Sequence, residues 1–186
     1  MSSNLRILGI DPGLANTGYG VIDFDGRAST RLDSGCITTT SGGDHGSRLY
    51  AIFHQMRNVI EKHQPQAVAI EKLFFGINAQ TAMAVGEGRG AALVAAAEFR
   101  IPVTEFAPAQ IKQAITGTGR ANKLQVQRMV QVLLKMDAIP PSDHESDALA
   151  VAICYAHSLH LTQSVEASGV SGVKALLAMR RGRKRR

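Results

Sequence analysis

Leu5-Arg6-Ile7-Leu8-Gly9-Ile10-Asp11-Pro12-Gly13 is the stretch on which the reading of this chain turns. An apolar run ends on a carboxylate, and a Pro-Gly pair then bends the backbone away. That pattern predicts a buried strand, an acid where the strand ends, and a tight turn. Next, Gly18-Tyr19-Gly20-Val21-Ile22-Asp23-Phe24 reads as the return strand, and residues 31–39 as a third strand before Ser41-Gly42-Gly43. Leu49, Ile52, Phe53, Met56, Val59 and Ile60 recur at helical spacing, predicting an amphipathic helix over roughly 45–63. Residues 66–71 form a short apolar run typical of a buried central strand. An Ala-rich helix is predicted over 78–99. A short strand follows at 101–106, with Pro102 at its start or on an edge. Helices then lie on both sides of Gly117-Thr118-Gly119 within 108–136. The last helix runs from Ser142 to about His160. It follows Pro140-Pro141, and Ser142 and Glu145 are spaced as a capping box. A meander followed by β-α-β units is an α/β fold: a mixed five-stranded sheet flanked by helices.

The chemistry gathers where these elements end. Asp11 closes the first strand, Glu71 closes Ala67-Val68-Ala69-Ile70, and Asp147 opens the helical run Ala148-Leu149-Ala150-Val151-Ala152-Ile153. Carboxylates are seldom buried unless paired or metal-bound. Several at one edge repel, and a hard divalent cation relieves that repulsion. A central strand lying beside the first would bring Asp11 and Glu71 to the same edge. The plainer alternatives are a turn without chemistry at Asp11 and a rim carboxylate at Glu71, paired with Lys72 or Arg89. Gly13, Gly18 and Gly20 are expected to let backbone approach a phosphate or metal. Within Ser142-Asp143-His144-Glu145-Ser146-Asp147, helical geometry puts Asp143 ~40° and His144 ~60° to either side of Asp147, with Glu145 roughly 160° away. Ligand hardness favours Asp143, but a first-turn acid is also favoured by the helix dipole with no metal at all. Two strand-end acids with an acid and a His on one helix face suit a two-metal phosphodiesterase.

Composition narrows the classes. The chain has 186 residues, no Trp, and two cysteines, Cys36 and Cys154, with no Cys/His metal spacing. Few aromatics make stacking on bases a weak expectation, and isolated thiols suit a reducing cytoplasm. Met1-Ser2-Ser3-Asn4 leads straight into a strand, so no signal peptide is expected. The longest apolar stretch, 148–161, is too short to cross a membrane. Arg180, Arg181, Arg183, Lys184, Arg185 and Arg186 carry six positive charges; subtracting these from the net +6 leaves residues 1–179 formally neutral. Such a tail adds salt-dependent affinity for nucleic acid. Residues 1–161 read as one catalytic domain and 162–186 as a flexible basic tail.

Leu8-Gly9-Ile10-Asp11-Pro12-Gly13 with Thr17-Gly18-Tyr19-Gly20, Ala69-Ile70-Glu71-Lys72-Leu73-Phe74 and Asp147-Ala148-Leu149-Ala150-Val151-Ala152 resemble the RuvC family of bacterial Holliday-junction endonucleases. Gly86-Glu87-Gly88-Arg89-Gly90 and Ala107-Pro108-Ala109-Gln110-Ile111-Lys112 match in order and spacing, so the resemblance spans about residues 5–160. It implies a ribonuclease H-like fold and a cytoplasmic homodimer. The dimer would bind four-way junction DNA and make two symmetric nicks, in homologous recombination and DNA repair. It implies hydrolysis dependent on Mg²⁺, two ions per subunit, with Mn²⁺ able to substitute. Asp11, Glu71 and Asp147 match three catalytic and metal-binding positions, and His144 stands at the fourth, which is often acidic. Phe74 matches a residue that wedges against junction bases, and Lys112 and Lys123 match basic residues near DNA. The stretch 82–97 matches a dimer interface; its small residues, Ala92 and Ala96 among them, would let two helices approach closely, or equally would pack that helix on its own sheet. A RuvA-RuvB branch-migration complex is the implied partner. Two rival readings are an actin-like ATP phosphotransferase sharing the Asp-x-Gly turn and a DNA-binding module without catalysis. The first needs a second lobe for which 186 residues leave no room. The second leaves the acids unexplained, since they would weaken phosphate binding.

Overall fold

In the first strand, β1 (Leu5–Asp11), side chains leave alternately: Ile7 toward one face of the sheet, Leu8 and Ile10 toward the other, all fully buried. Both faces are therefore covered. The computed structural model describes residues 4–73 and 79–167. β1 pairs antiparallel with β2 (Asn16–Phe24), which pairs antiparallel with β3 (Ser29–Thr38). On its other side β1 runs parallel to β4 (Ala67–Glu71), which runs parallel to β5 (Val103–Phe106). The order β3-β2-β1-β4-β5 is the expected mixed sheet of five strands. Register between β1 and β4 runs from Ile7↔Ala67 to Ile10↔Ile70, which sets Asp11 and Glu71 side by side at the shared carboxyl end. β5 begins at Val103, two residues later than predicted. Proline has no N–H to give the ladder, although the Pro102 carbonyl still accepts from Val68 N at 2.9 Å.

Helices α1 (His45–His63) and α2 (Ala79–Glu98) cover one face, with Ile52, Met56, Ile60, Ala92, Ala95 and Ala96 packed on Leu8, Ile10, Val68 and Ile70. Ala92 and Ala96 are fully buried inside the subunit, so their small size serves close packing of α2 on its own sheet. The outward side of α2 carries Met83 and Val94, 67% and 59% exposed. The opposite face is covered by α3 (Pro108–Thr116), α4 (Lys123–Leu133) and α5 (Asp143–Ala167). Leu149 and Ile153 are sealed there, each worth about 1.5–3 kcal/mol of apolar burial.

α5 departs from expectation in three ways. It continues to Ala167, past the predicted end near His160. It also lies so close to the sheet that a Cβ on Gly9 or Gly18 would overlap the carbonyl oxygens of Ala148 and His144. The approach these two glycines permit is thus of helix to strand, whereas for Gly18 the sequence suggested phosphate or metal to strand. Finally, Glu145, paired with Ser142 in the predicted capping box, turns its Oε1 to β3: Ser34 Oγ donates to it at 2.6 Å and Arg31 pairs with it at 3.4 Å. Only 5% of Glu145 is exposed, and a carboxylate buried there needs these partners.

Candidate active site

The site forms because one strand pair and one helix start share an end of the sheet. Parallel pairing brings Asp11 and Glu71 together, and the glycine-lined path under α5 lowers Asp147 and His144 onto them. His144 Nδ1 donates to Asp11 Oδ2 at 2.7 Å, leaving Nε2 of the ring outside that bond. Asp143 turns elsewhere: its Oδ1 accepts from Gln127 Nε2 at 2.7 Å and its Oδ2 faces Lys123 Nζ at 3.1 Å. Lys123 Nζ also lies 3.3 Å from Asp147 Oδ2. The structure therefore sets His144 against Asp11, while Asp143 sits in the polar chain leading to Lys123.

Burial dominates the electrostatics. It raises the Asp11 carboxyl above its ordinary range despite the His144 hydrogen bond, with Asp147 adding to the rise. Asp147 is likewise raised by burial, against the pull of Lys123. Glu71 moves furthest, to about 7, through burial and then the nearby charges of Asp11 and Asp147, with Lys112 opposing. Three carboxyls that resist ionising together form a place where positive charge is in deficit. Among the described residues no three His, Cys, Asp or Glu side chains are drawn close enough to grip an ion. Here His144 engages Asp11 and Lys123 engages Asp147. The donor chemistry still suits a hard divalent cation, since the three acids supply oxygen in a cleft that disfavours their uncompensated charge.

Glu71, Asp147, Lys112 and Lys123 line a cleft of about 290 Å³ with Pro108, Ile111, Val126 and Ala150. A larger cavity of about 860 Å³ lies between α3, α5 and the end of β2, and none of the three acids reaches it. Glu71 pairs with neither Lys72 nor Arg89; the Arg89 guanidinium pairs with Glu105. Lys112 and Lys123 both stand at the cleft, whereas Phe74 lies outside the described residues. Gln127 escaped the sequence reading. The signal available was its i, i+4 spacing from Lys123 on α4, which puts both on one helix face.

Among the described residues no helix is long and apolar enough to cross a membrane. The Crossover junction endodeoxyribonuclease RuvC of Caldanaerobacter subterraneus subsp. tengcongensis is 45% identical over 159 residues, covering 86% of this chain and 96% of the relative. The structure of Thermus thermophilus RuvC superposes with a TM-score of 0.79 at 34% identity, covering 85% of this chain and 97% of that one. The same protein in complex with a Holliday junction substrate gives a TM-score of 0.81, covering 85% and 96%. These likenesses also fix the fold as ribonuclease H-like. Residues 7–155 match the family described as Crossover junction endodeoxyribonuclease RuvC. With the strand-end acids on the sheet and the match running through every element that carries them, the chain belongs to the RuvC family.

Proposed function

We propose that this chain resolves four-way DNA junctions by paired symmetric nicks, as a homodimeric, Mg²⁺-dependent endonuclease of recombination and repair. The observation that carries the reading is the meeting of Asp11, Glu71 and Asp147 at one end of the sheet, with Glu71 pushed up to about 7. The relative seen with a Holliday junction substrate supports the choice of DNA.

Asp11, Glu71, Asp147 and His144 are the residues we assign to holding two Mg²⁺, with Mn²⁺ able to substitute. Bound there, the ions supply activation of water and stabilisation of the leaving oxygen. The chain's own groups do the rest. Asp11 fixes the His144 ring through Nδ1, so Nε2 is aimed by a bond already made. Lys112 and Lys123 place two cations on the wall of the cleft, where they attract a phosphodiester and offset the acids that would repel it. Two symmetric nicks require two sites, and a two-fold dimer supplies them. The exposed apolar side chains Met83 and Val94 of α2 are the surface we assign to that contact. The basic tail at 180–186 adds general affinity for DNA, and a RuvA-RuvB complex is the partner consistent with the family. Two free cysteines and no membrane-crossing helix among the described residues are consistent with work in the cytoplasm.

The decisive assay offers a synthetic four-way junction with and without Mg²⁺. Paired symmetric nicks are expected only with the metal. Asp11→Asn, which removes one anionic group, is expected to stop cutting while junction binding persists or tightens. Normal cleavage by that variant overturns the assignment of the site.

A further inference from the structure

Lys123 is rooted firmly. It is the first residue of α4, behind Asn122, whose Oδ1 accepts from Gln125 N at 3.0 Å and fixes the helix start. Its ammonium is another matter. The side chain is 51% exposed and has four rotatable bonds, and an isolated exposed Lys–Asp pair does little to fix such a group. Here the pair is not isolated. One turn along α4, Gln127 is only 9% exposed, and a buried amide must spend its hydrogen-bonding groups on partners. It donates to Asp143 Oδ1 at 2.7 Å, which holds the other oxygen, Oδ2, toward Lys123 at 3.1 Å. The ammonium is thereby caught between two carboxylates, Asp143 and Asp147. We infer that Gln127 and Asp143 are positioning residues that set the Lys123 ammonium against Asp147. A buried amide orders an exposed acid, and that acid orders the cation at the edge of the cleft. The helix-dipole role that suits a first-turn acid is then the lesser part of what Asp143 does. The inference rests on the reading of Asp147 as a site acid.

Two variants test it, Asp143→Asn and Gln127→Leu, with thermal midpoints confirming that each is folded. Misplacing one charged group should slow single-turnover cleavage of a saturating four-way junction about 10-fold, with junction affinity changed less than about twofold. Combining Asp143→Asn with Lys123→Ala should be no slower than Lys123→Ala alone, because the first change acts only through the lysine. Independently of cutting, acylation of Lys123 by acetic anhydride, read by mass spectrometry, should rise several-fold in both single variants. Additive losses in the double variant, or unchanged Lys123 acylation, overturn the inference. If the wild-type chain does not cut junctions, the proposed function falls and the acylation arm still decides whether Gln127 and Asp143 hold the lysine.

Discussion

Three acids and a histidine meet in this protein because two strand ends, of β1 and β4, and the start of α5 share one end of the sheet, and burial of the three acids raises their carboxyls. Glu71 keeps its proton up to about pH 7 in the folded chain, against an ordinary value of 4.5. Between those values the folded state binds more protons than the unfolded state, so this group makes stability fall as pH rises from about 4.5 to about 7. The shift corresponds to at most about 3 kcal/mol, less after solvent screening. Denaturant titrations across that range, without divalent metal, should show the slope; Glu71→Gln should flatten it, and added Mg²⁺ should offset it. His144 gives a second expectation. On its bond to Asp11 we assign it to the proposed site, and under that assignment His144→Ala should lose most single-turnover cleavage. His144→Asp, which restores oxygen, should keep substantial activity in Mg²⁺. Equal cutting by the alanine variant and wild type would show that the ring is dispensable. The three acids stood out in the sequence because carboxylates at the ends of apolar runs are rare, whereas His144 was reached through the family spacing. Whether His144 or Asp143 faces Asp11 was not legible there, since both lie within about 60° of Asp147 on the helix.

Among the elements, α2 and α5 carried the largest surprises. Small residues were readable as a sign of close approach, but not which surface they approach. In α2 the buried alanines face their own sheet, so Ala92→Glu should damage the fold, overpacking alone costing about 1–3 kcal/mol before the buried charge is counted. Val94→Glu, on the exposed side, should change monomer stability by no more than about 0.5 kcal/mol and, under the proposed dimer, yield monomers. Light scattering beside thermal melts separates the two effects; a dimeric Val94→Glu would move the interface elsewhere. In α5, Gly9 and Gly18 lie on strands, and nothing local in the sequence says that a helix backbone covers them. The turn chemistry, by contrast, was local: the Gly117-Thr118-Gly119 break between α3 and α4 was predicted and is present, with Gly117 at φ 77°.

For the whole molecule, charge is divided between a formally neutral stretch and a basic end. Removing residues 180–186 takes away six cations. Binding to all DNA should weaken and its dependence on salt should flatten, while preference for four-way over linear DNA survives. Filter binding at several salt concentrations reads both quantities. Loss of the preference would place junction recognition in the tail.

By itself the sequence determined the element order, the mixed sheet and the three strand-end or helix-start acids. Those follow from periodicity, from turn residues and from the cost of burying a carboxylate, all of which act over a few neighbouring positions. The sequence also suggested that a central strand beside the first would bring Asp11 and Glu71 to one edge, which the β1–β4 pairing does. Only the tertiary structure decided that His144 bonds Asp11 and that Gln127, sixteen residues before Asp143, orders it. Each of those depends on how closely α4, α5 and the sheet approach one another. That distance is set by packing between segments far apart in the chain, which no local pattern encodes.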